Sequence, residues 1–172
     1  LNNGVERLER LISDALDYTA AQGGNLKLEL QTTDIVEIHH AVLQKAKPFL
    51  MARGQHLEVS LPESAPCVSI DPLRCEQILQ NLIFHASVWS DPGETITVNV
   101  TVSQNSVLTS VTDRGIEIPQ GDREKALLPF YRIGEPDGKG SADSGLGLAL
   151  ASKLAEMHLG RLWVESNRGK GN

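Results

Sequence analysis

Three short segments of the sequence combine residue types that could do chemistry, and the first is a polar stripe within an apolar helical pattern. Gln77, Asn81 and His85 stand four residues apart, so a helix would place them on one face. The apolar residues between them would pack against a sheet. The stripe could line a polar pocket or form the solvated side of the helix, and the spacing alone favours neither.

The second segment ends a predicted strand with an acidic residue. Val107–Thr112 is rich in β-branched residues, and Asp113 and Gly115 follow it closely. A carboxylate in that position can accept a hydrogen bond from an exocyclic amine such as that of adenine, while the glycine permits close approach of another backbone or a ligand. An ordinary acidic turn would look the same, so this segment is not decisive by itself.

The third segment leads glycines directly into a predicted helix. It reads Ser144-Gly145-Leu146-Gly147. Unpaired N–H groups and the positive end of the helix dipole favour a phosphate there, by ~0.3 to 1 kcal/mol from the dipole. Because glycines also serve plain helix entry, the junction is weak evidence when taken alone.

These segments need a scaffold, and the sequence predicts an amphipathic helix ahead of one larger domain. Apolar residues recur at helical spacing over residues 5–16, with charged residues on the other face, and such an apolar face requires a partner. Small residues with a glycine pair then break the pattern. We predict the helix over residues 1–20, a linker over residues 21–25 and the domain over residues 26–172.

Within the domain, strands and helices alternate in a way that predicts an α+β fold. Strands are predicted at residues 26–30, 56–61, 67–70, 95–102, 107–112 and 161–166. Helices are predicted from the N-cap Asp34 to about residue 52, from the N-cap Asp71 and Pro72 to about residue 89, and over residues 146–158. Together they form a two-layer sandwich, with helices on one face of a mixed, mostly antiparallel sheet.

Composition excludes some classes of function. A net charge of -6 argues against a nucleic-acid partner, because phosphate-tracking proteins need clustered Lys and Arg. No apolar run reaches the roughly 18 residues that span a bilayer, so we expect no direct membrane contact by this chain, which reads as cut from a longer one. Cys67 and Cys75 are expected to be reduced thiols, the first within a strand.

Taken in this order, the segments resemble the N, G1, F and G2 boxes of the histidine-kinase ATP-binding domain. That domain belongs to the family that also contains gyrase B, the heat-shock 90 chaperones and MutL. The N box lies at residues 77–86, the G1 box at 110–119, the F box at 129–132 and the G2 box at 144–150. Residues 133–144 resemble the ATP lid and are predicted to be a mobile loop, and residues 156–160 resemble the family's acid-x-His-Gly-Gly ending.

The helix at the start completes the resemblance, which covers about residues 5–171. Residues 7–18 are similar to the end of the second dimerisation helix of sensor kinases, which the other ATPase relatives lack. The resemblance implies the Bergerat ATPase fold, with a last strand that is truncated. It also implies phosphoryl transfer from ATP to a histidine on the dimerisation helices. No phosphoacceptor motif occurs here, so no catalytic residue is assigned and enzyme activity is left open.

The resemblance also implies ligands, partners and a location. ATP and Mg²⁺ are the family's cofactors, and the implied nucleotide-binding residues are Asn81, His85, Asp113, Gly115, Phe130, Arg132, Gly145, Leu146 and Gly147. The implied partners are the dimerisation helices of a second copy or of another sensor kinase, and a response regulator or receiver domain. The chain would be the cytoplasmic domain of a bacterial, possibly hybrid, sensor of the inner membrane.

Several positions depart from the family pattern at the phosphate end. His85 replaces the second N-box asparagine, which holds Mg²⁺ through its amide oxygen, although Mg²⁺ prefers hard oxygen ligands. Val88 stands where a phosphate-facing lysine or arginine is usual. Glu117 replaces the second G1 glycine, and Asp143 replaces the first G2 glycine. Asn81 and His85 are therefore metal ligands only if Mg²⁺ binds, and no other metal site is predicted.

Two hypotheses follow from these departures. The first is a domain with impaired nucleotide binding and a regulatory role in signal transduction through kinase–kinase interaction. The alternative is an active ATP-dependent histidine autokinase that feeds a response regulator. The remaining histidines are expected to be structural, namely His39, His40, His56 and His158.

Overall fold

The computed structural model describes residues 2–104, 106–132, 144–166 and 171–172, except for the side chains of residues 2, 3, 6 and 7. The helices in these residues are α1 (Asn2–Gln22), α2 (Ile35–Ala52), α3 (Pro72–Trp89) and α4 (Gly147–Met157). The strands are β1 (Gln31–Thr33), β2 (His56–Ser60), β3 (Val68–Ile70), β4 (Thr95–Val102) and β5 (Val107–Thr112). Two short 3-10 turns, Gln120–Asp122 and Lys125–Leu127, connect β5 to the F box.

The strands form two sheets of mixed direction. In the larger sheet β2 lies parallel to β4, and β4 lies antiparallel to β5. In the smaller sheet β1 pairs antiparallel with β3. The predicted α+β class is confirmed, including the mixed, mostly antiparallel strand pairing and the amphipathic helix that precedes the domain.

Helices α2 and α3 begin where the predicted caps place them. Asp34 Oδ1 accepts a hydrogen bond from the backbone N–H of Val36 at 2.8 Å, and Asp71 Oδ1 accepts one from Arg74 at 3.1 Å. Such caps stabilise a helix by ~1 kcal/mol each. Both helices then bury an apolar side against β4, and the core is made of Ile38, Val42, Leu43, Leu50, Leu79, Ile83, Ala86, Ile96 and Val98.

The prediction of strands at residues 26–30 and 161–166 was wrong. No strand is assigned to either segment, and β1 begins only at Gln31. The alternation of apolar and polar residues in these segments reflects which side chains are exposed, and it does not reflect pairing with a neighbouring strand. Their backbone groups bond to side chains instead: the Glu29 N–H donates to Asp71 Oδ2 at 2.9 Å, and the Ser166 carbonyl accepts from Arg123 at 3.1 Å. The third predicted strand also begins one residue late, so Cys67 lies outside it.

Helix α1 continues to Gln22, two residues past its predicted end. Its polar side faces the rest of the chain, because Asp17 Oδ2 accepts hydrogen bonds from Arg74 at 3.0 Å and from Gln77 at 2.7 Å. Its apolar stripe is more than half exposed and comprises Val5, Leu8, Ile12 and Leu16. The pattern therefore identified an apolar face correctly, but this face is not the one that packs within the chain.

Two histidines make hydrogen bonds that join elements of the fold. His39 is buried between the carbonyl of Ile35, at 2.7 Å, and the hydroxyl of Thr109, at 2.9 Å, and burial lowers its pKa. His158 Nε2 accepts from the backbone N–H of Asp71 at 3.1 Å, which ties the end of α4 to the start of α3. Both cysteines are free, and burial raises the pKa of Cys75 to about 11.

Among the described residues, no helix is both long and apolar enough to cross a membrane.

Candidate functional site

A cleft of about 900 Å³ lies between α1, α2, α3 and the start of α4. Two of the three residues in the predicted polar stripe, Asn81 and His85, line this cleft, together with Ser144 and Gly147. Gln77 instead bonds to α1 through Asp17. The stripe is therefore partly a pocket wall and partly a helix–helix contact, which answers the question that spacing alone left open.

Asn81 is a deeply buried polar residue of the cleft, with 4% of its surface exposed. Its Oδ1 accepts a hydrogen bond from Arg10 Nη2 at 3.0 Å. The Arg10 guanidinium lies 3.4 Å from the centre of the Phe84 ring, and its Nε is 3.7 Å from Asp14 Oδ2. The sequence had not singled out Arg10 or Asp14, since both belong to the charged side of α1 and nothing in their spacing points to Asn81.

The amide nitrogen of Asn81 has a different environment. Among the described residues, no hydrogen-bond partner lies near this buried Nδ2. Gly147, the first residue of α4, lies so close that a Cβ there would be 3.6 Å from the Asn81 amide. A buried donor beside a helix N-terminus is suited to an acceptor that carries negative charge.

The F and G2 boxes meet through their backbones. The N–H of Phe130 donates to the carbonyl of Gly145 at 2.9 Å. Gly145 has φ +69°, and a Cβ there would lie 2.8 Å from the Tyr131 carbonyl, so only glycine fits. Phe130 also has positive φ, +63°, and its side chain is 71% exposed. Leu146 is buried, and its N–H donates to Ser144 Oγ at 3.1 Å.

Of the nine predicted nucleotide-binding residues, Asn81, His85 and Gly147 line the cleft, and the other six do not: Asp113, Gly115, Phe130, Arg132, Gly145 and Leu146. Their part in nucleotide binding stays a prediction. The predicted lid at residues 133–144 lies outside the described residues except for Ser144, and so does Asp143.

Asp113 lies at the end of β5 and is 4% exposed. Its Oδ1 accepts the N–H of Gly115 at 2.7 Å, and Asn172 Nδ2 lies 3.4 Å away. Burial raises the pKa of this carboxyl, against the opposing effects of the Gly115 N–H, of the nearby His85 and of Asn172. The carboxylate is therefore held in one orientation and is largely shielded from solvent.

Gly115 joins this acidic turn to the end of α3. A Cβ at Gly115 would collide with the carbonyl oxygen of Trp89. The sequence prediction that this glycine permits close backbone approach is thus correct, and the backbone approached is that of the N-box helix. The G1 box is therefore in direct contact with the last residue of α3, the helix that carries the N box.

Asn172 is a residue of this region that the sequence did not reveal. Its carbonyl accepts from the Asp113 N–H at 2.9 Å, and its side chain bonds to the N–H of Ile118 at 2.9 Å and the carbonyl of Ile116 at 2.7 Å. An asparagine 59 positions away from Asp113 carries no local signal of this contact. The turn after β5 is therefore braced by a distant segment.

This set of boxes, in this order and in mutual contact, can be compared with known families. Residues 70–172 match the model of the histidine kinase-, DNA gyrase B- and HSP90-like ATPases. The chain belongs to this family. Within the family it is an ATP-binding domain of the type found in sensor histidine kinases.

Curated relatives of this ATPase domain include two bacterial sensors. The chain is 32% identical over 98% of its length to the sensor histidine kinase WalK of Bacillus subtilis, of which it covers 28%. It is also 32% identical over 97% of its length to the alginate biosynthesis sensor protein KinB of Pseudomonas aeruginosa, of which it covers 27%. The chain thus spans less than a third of either relative.

Solved structures of histidine kinases share the fold. Full-length ShkA in complex with AMPPNP superposes with a TM-score of 0.81 at 22% identity, over 95% of this chain and 34% of that one. Histidine kinase ThkA in complex with the response regulator protein TrrA gives a TM-score of 0.76 at 23% identity, over 99% and 46%. Both likenesses concern the fold.

The residues present fit the two parts of the family's Mg²⁺–nucleotide ligand unequally. Asp113 offers a buried carboxylate, which is the kind of acceptor that an adenine amine requires. For Mg²⁺ the donor set does not fit, since the Asn81 oxygen already accepts from Arg10 and His85 offers an imidazole. Val88 is buried and supplies no charge, and Glu117 is exposed.

Proposed function

We propose that this domain serves a two-component sensor kinase, of simple or hybrid type, with impaired Mg²⁺-dependent nucleotide binding, and that it acts in regulation through contact with another kinase. The observation that carries the proposal is the hydrogen bond from Arg10 to Asn81 Oδ1. It places a permanent cation on the amide oxygen that a metal would need.

The electrostatics support impairment at the phosphate end. Mg²⁺ requires near-octahedral oxygen coordination and gives up its water reluctantly. An imidazole at His85 and a guanidinium on Asn81 both disfavour Mg²⁺. Loss of a metal ligand and a cation costs several kilocalories per mole in phosphoryl transfer.

The surface of α1 supports a role through contact. Its exposed stripe repeats at intervals of three and four residues, which is the spacing of a helix–helix seam. We therefore assign residues 1–20 to the end of a dimerisation helix, with residues 26–172 as the ATP-binding domain. The partner would be the same helix of a second copy or of another sensor kinase.

The remaining partners follow from the relatives. ThkA is seen with the response regulator TrrA, and WalK and KinB are called sensors. We extend this to a response regulator or receiver domain for the parent of this chain. We place the domain on the cytoplasmic side of a membrane-bound sensor.

One observation favours the alternative of an active autokinase. The buried Asp113 carboxylate, which the Gly115 N–H orients, and the glycine entry to α4 keep the residue types of the family's nucleotide site. Under that alternative, His85 and Glu117 are tolerated variants and Arg10 leaves Asn81 when ATP and Mg²⁺ bind.

Calorimetric titration of ATP, with and without Mg²⁺, distinguishes the proposed impaired domain from an active autokinase. The wild type is compared with the double change His85→Asn and Glu117→Gly, and with His56→Asn as a matched control on an exposed strand. We expect the double change to gain Mg²⁺-dependent binding of about tenfold or more. Tight, Mg²⁺-dependent binding by the wild type would disprove the impaired function.

The contact function has its own test. Leu8→Glu with Ile12→Glu should abolish self-association or association with a partner kinase in sedimentation experiments. Leu159→Glu is the control, because Leu159 is 98% exposed and does not belong to the α1 stripe. Equal association of both variants would mean that the α1 stripe is not the interface.

A further inference from the structure

We propose that Arg10 of α1 takes the place of a metal ion in this domain, so that the phosphates of a nucleoside diphosphate or triphosphate bind without Mg²⁺. The inference rests on the proposed function, since it concerns the same nucleotide site. Three observations, on Arg10, on Asn81 and on the charge of the cleft, carry it.

The guanidinium of Arg10 is fixed at the phosphate end of the cleft. Nη2 donates to Asn81 Oδ1 at 3.0 Å, the Phe84 ring lies 3.4 Å beneath the guanidinium carbon, and Asp14 Oδ2 lies 3.7 Å from Nε. A guanidinium is planar and permanently charged, and it recognises phosphate through directed N–H donors. Asp14 and Phe84 fix the orientation of the guanidinium, much as the residues around a metal site fix its ligands.

The amide of Asn81 presents its donor next to this cation. Oδ1 of Asn81 accepts from Arg10, so the amide nitrogen Nδ2 is the hydrogen-bond donor of this side chain. Nδ2 has no partner among the described residues, although only 4% of the Asn81 surface is exposed. Gly147 at the first turn of α4 lies against the same amide. A phosphate oxygen at this point would satisfy Asn81 Nδ2 and meet the positive end of α4.

The charge of the cleft is opposite to that of the chain. Arg10, Lys45 and Arg53 line it, and Asp14 is the acid among the described lining residues, whereas the whole chain carries a net charge of -6. Lys45 of α2 donates to Glu76 at 2.9 Å, and Arg53, the residue that follows α2, donates to the carbonyl of Ser87 at 3.2 Å. A cationic cleft in an acidic domain favours an anionic ligand.

The test is calorimetric titration of ADP into the 172-residue chain, once in EDTA and once in Mg²⁺. We expect ADP to bind in EDTA, and Mg²⁺ to change Kd by less than about threefold. Arg10→Gln should weaken ADP binding in EDTA by about tenfold or more, because a charge-assisted contact to phosphate is lost, and Arg10→Lys should recover part of it.

Two controls isolate the charge of Arg10. Arg74→Gln breaks a different α1 contact, the 3.0 Å ion pair with Asp17 outside the cleft, and should change ADP affinity by less than about twofold. Adenosine lacks phosphates, so Arg10→Gln should leave its affinity within about twofold of the wild type. This second control also reports whether the variant is folded.

The outcomes are distinguishable from those of the proposed function. If ADP does not bind in EDTA, or if Arg10→Gln binds as the wild type does, the inference on Arg10 is wrong. Absence of binding in both EDTA and Mg²⁺ overturns it while the contact function stands. Binding that requires Mg²⁺ overturns both the inference on Arg10 and the proposed impairment of Mg²⁺-dependent nucleotide binding.

Discussion

The two ends of the proposed nucleotide site, the adenine end at Asp113 and the phosphate end at Asn81, are held by different kinds of contact. At the adenine end, backbone groups set the geometry: the Gly115 N–H holds Asp113, and Gly115 itself packs on the Trp89 carbonyl. At the phosphate end, side chains from separate helices set it, with Arg10 of α1 on Asn81 of α3. By the resemblance seen in the sequence, the family pattern is kept at Asp113 and Gly115 and departs at His85 and Val88.

This difference has a physical reason. A side chain added where two backbones touch must displace one of them, so few substitutions are tolerated at Gly115. A side chain that reaches across a cleft can be replaced by another from a neighbouring helix without moving the fold. Chemistry that depends on side chains, such as metal and phosphate binding, is therefore the part that is free to change.

The largest expected effect tests the rigidity of the adenine end. Gly115→Ala should lower the free energy of unfolding by about 3 kcal/mol, because the added Cβ collides with the Trp89 carbonyl. Urea denaturation measures it. The matched control is Gly121→Ala, at an exposed glycine where a Cβ meets nothing within 4 Å, and equal stability of the two variants would contradict the argument.

The second effect separates the ends by ligand. Asp113→Asn should weaken adenosine binding by about tenfold, since the acceptor for an exocyclic amine loses its charge. Arg10→Gln should not affect adenosine. Calorimetry with adenosine checks both, and a similar loss in the two variants would mean that the ends are not independent.

The same Asp113 variant carries a pH signature. Burial raises the pKa of Asp113 above its ordinary value of 3.8, so its ionisation opposes folding as the pH rises through the folded pKa. Asp113→Asn should therefore be more stable than the wild type near neutral pH, with a gap that closes as the pH falls toward 3.8. Melting temperatures across this range would test it, and a gap that widens on acidification would contradict it.

A smaller effect concerns the strand that carries Asp113. His39 joins α2 to β5 through Thr109, and burial lowers its pKa below 6.5. Its protonation opposes folding, so stability should fall as the pH drops below 6.5 and through the folded pKa. His39→Gln should remove this dependence, while His40→Gln, on the exposed neighbour, should keep it; thermal melts in matched buffers decide.

The smallest effect belongs to the phosphate end. Lys45→Gln removes an ion pair with Glu76 whose lysine is 63% exposed, so stability should change by less than about 0.5 kcal/mol. A larger loss in urea denaturation would show that the cleft wall is as rigid as the adenine end. Lys153→Gln, which removes another exposed ion pair at 3.3 Å, is the control.

The predictions that depended on residues close together in the sequence were confirmed. The caps at Asp34 and Asp71, the positions of α2, α3 and α4, and the glycine entry at Gly147 depend on residues a few positions apart. The predictions that failed, at residues 26–30 and 161–166, needed a partner strand. Alternation cannot say whether such a partner exists.

The sequence by itself therefore determined the fold class and the helices, because these follow from short-range periodicity and turn chemistry, while the residues of the family's boxes followed from its resemblance to a known family. Only the tertiary structure decided which face of α1 packs inward, that Arg10 meets Asn81 across 71 positions, and that Asn172 braces Asp113. A helix pattern marks its apolar face without giving the rotation and depth at which it docks. Those depend on the fit of whole surfaces, which no local spacing encodes.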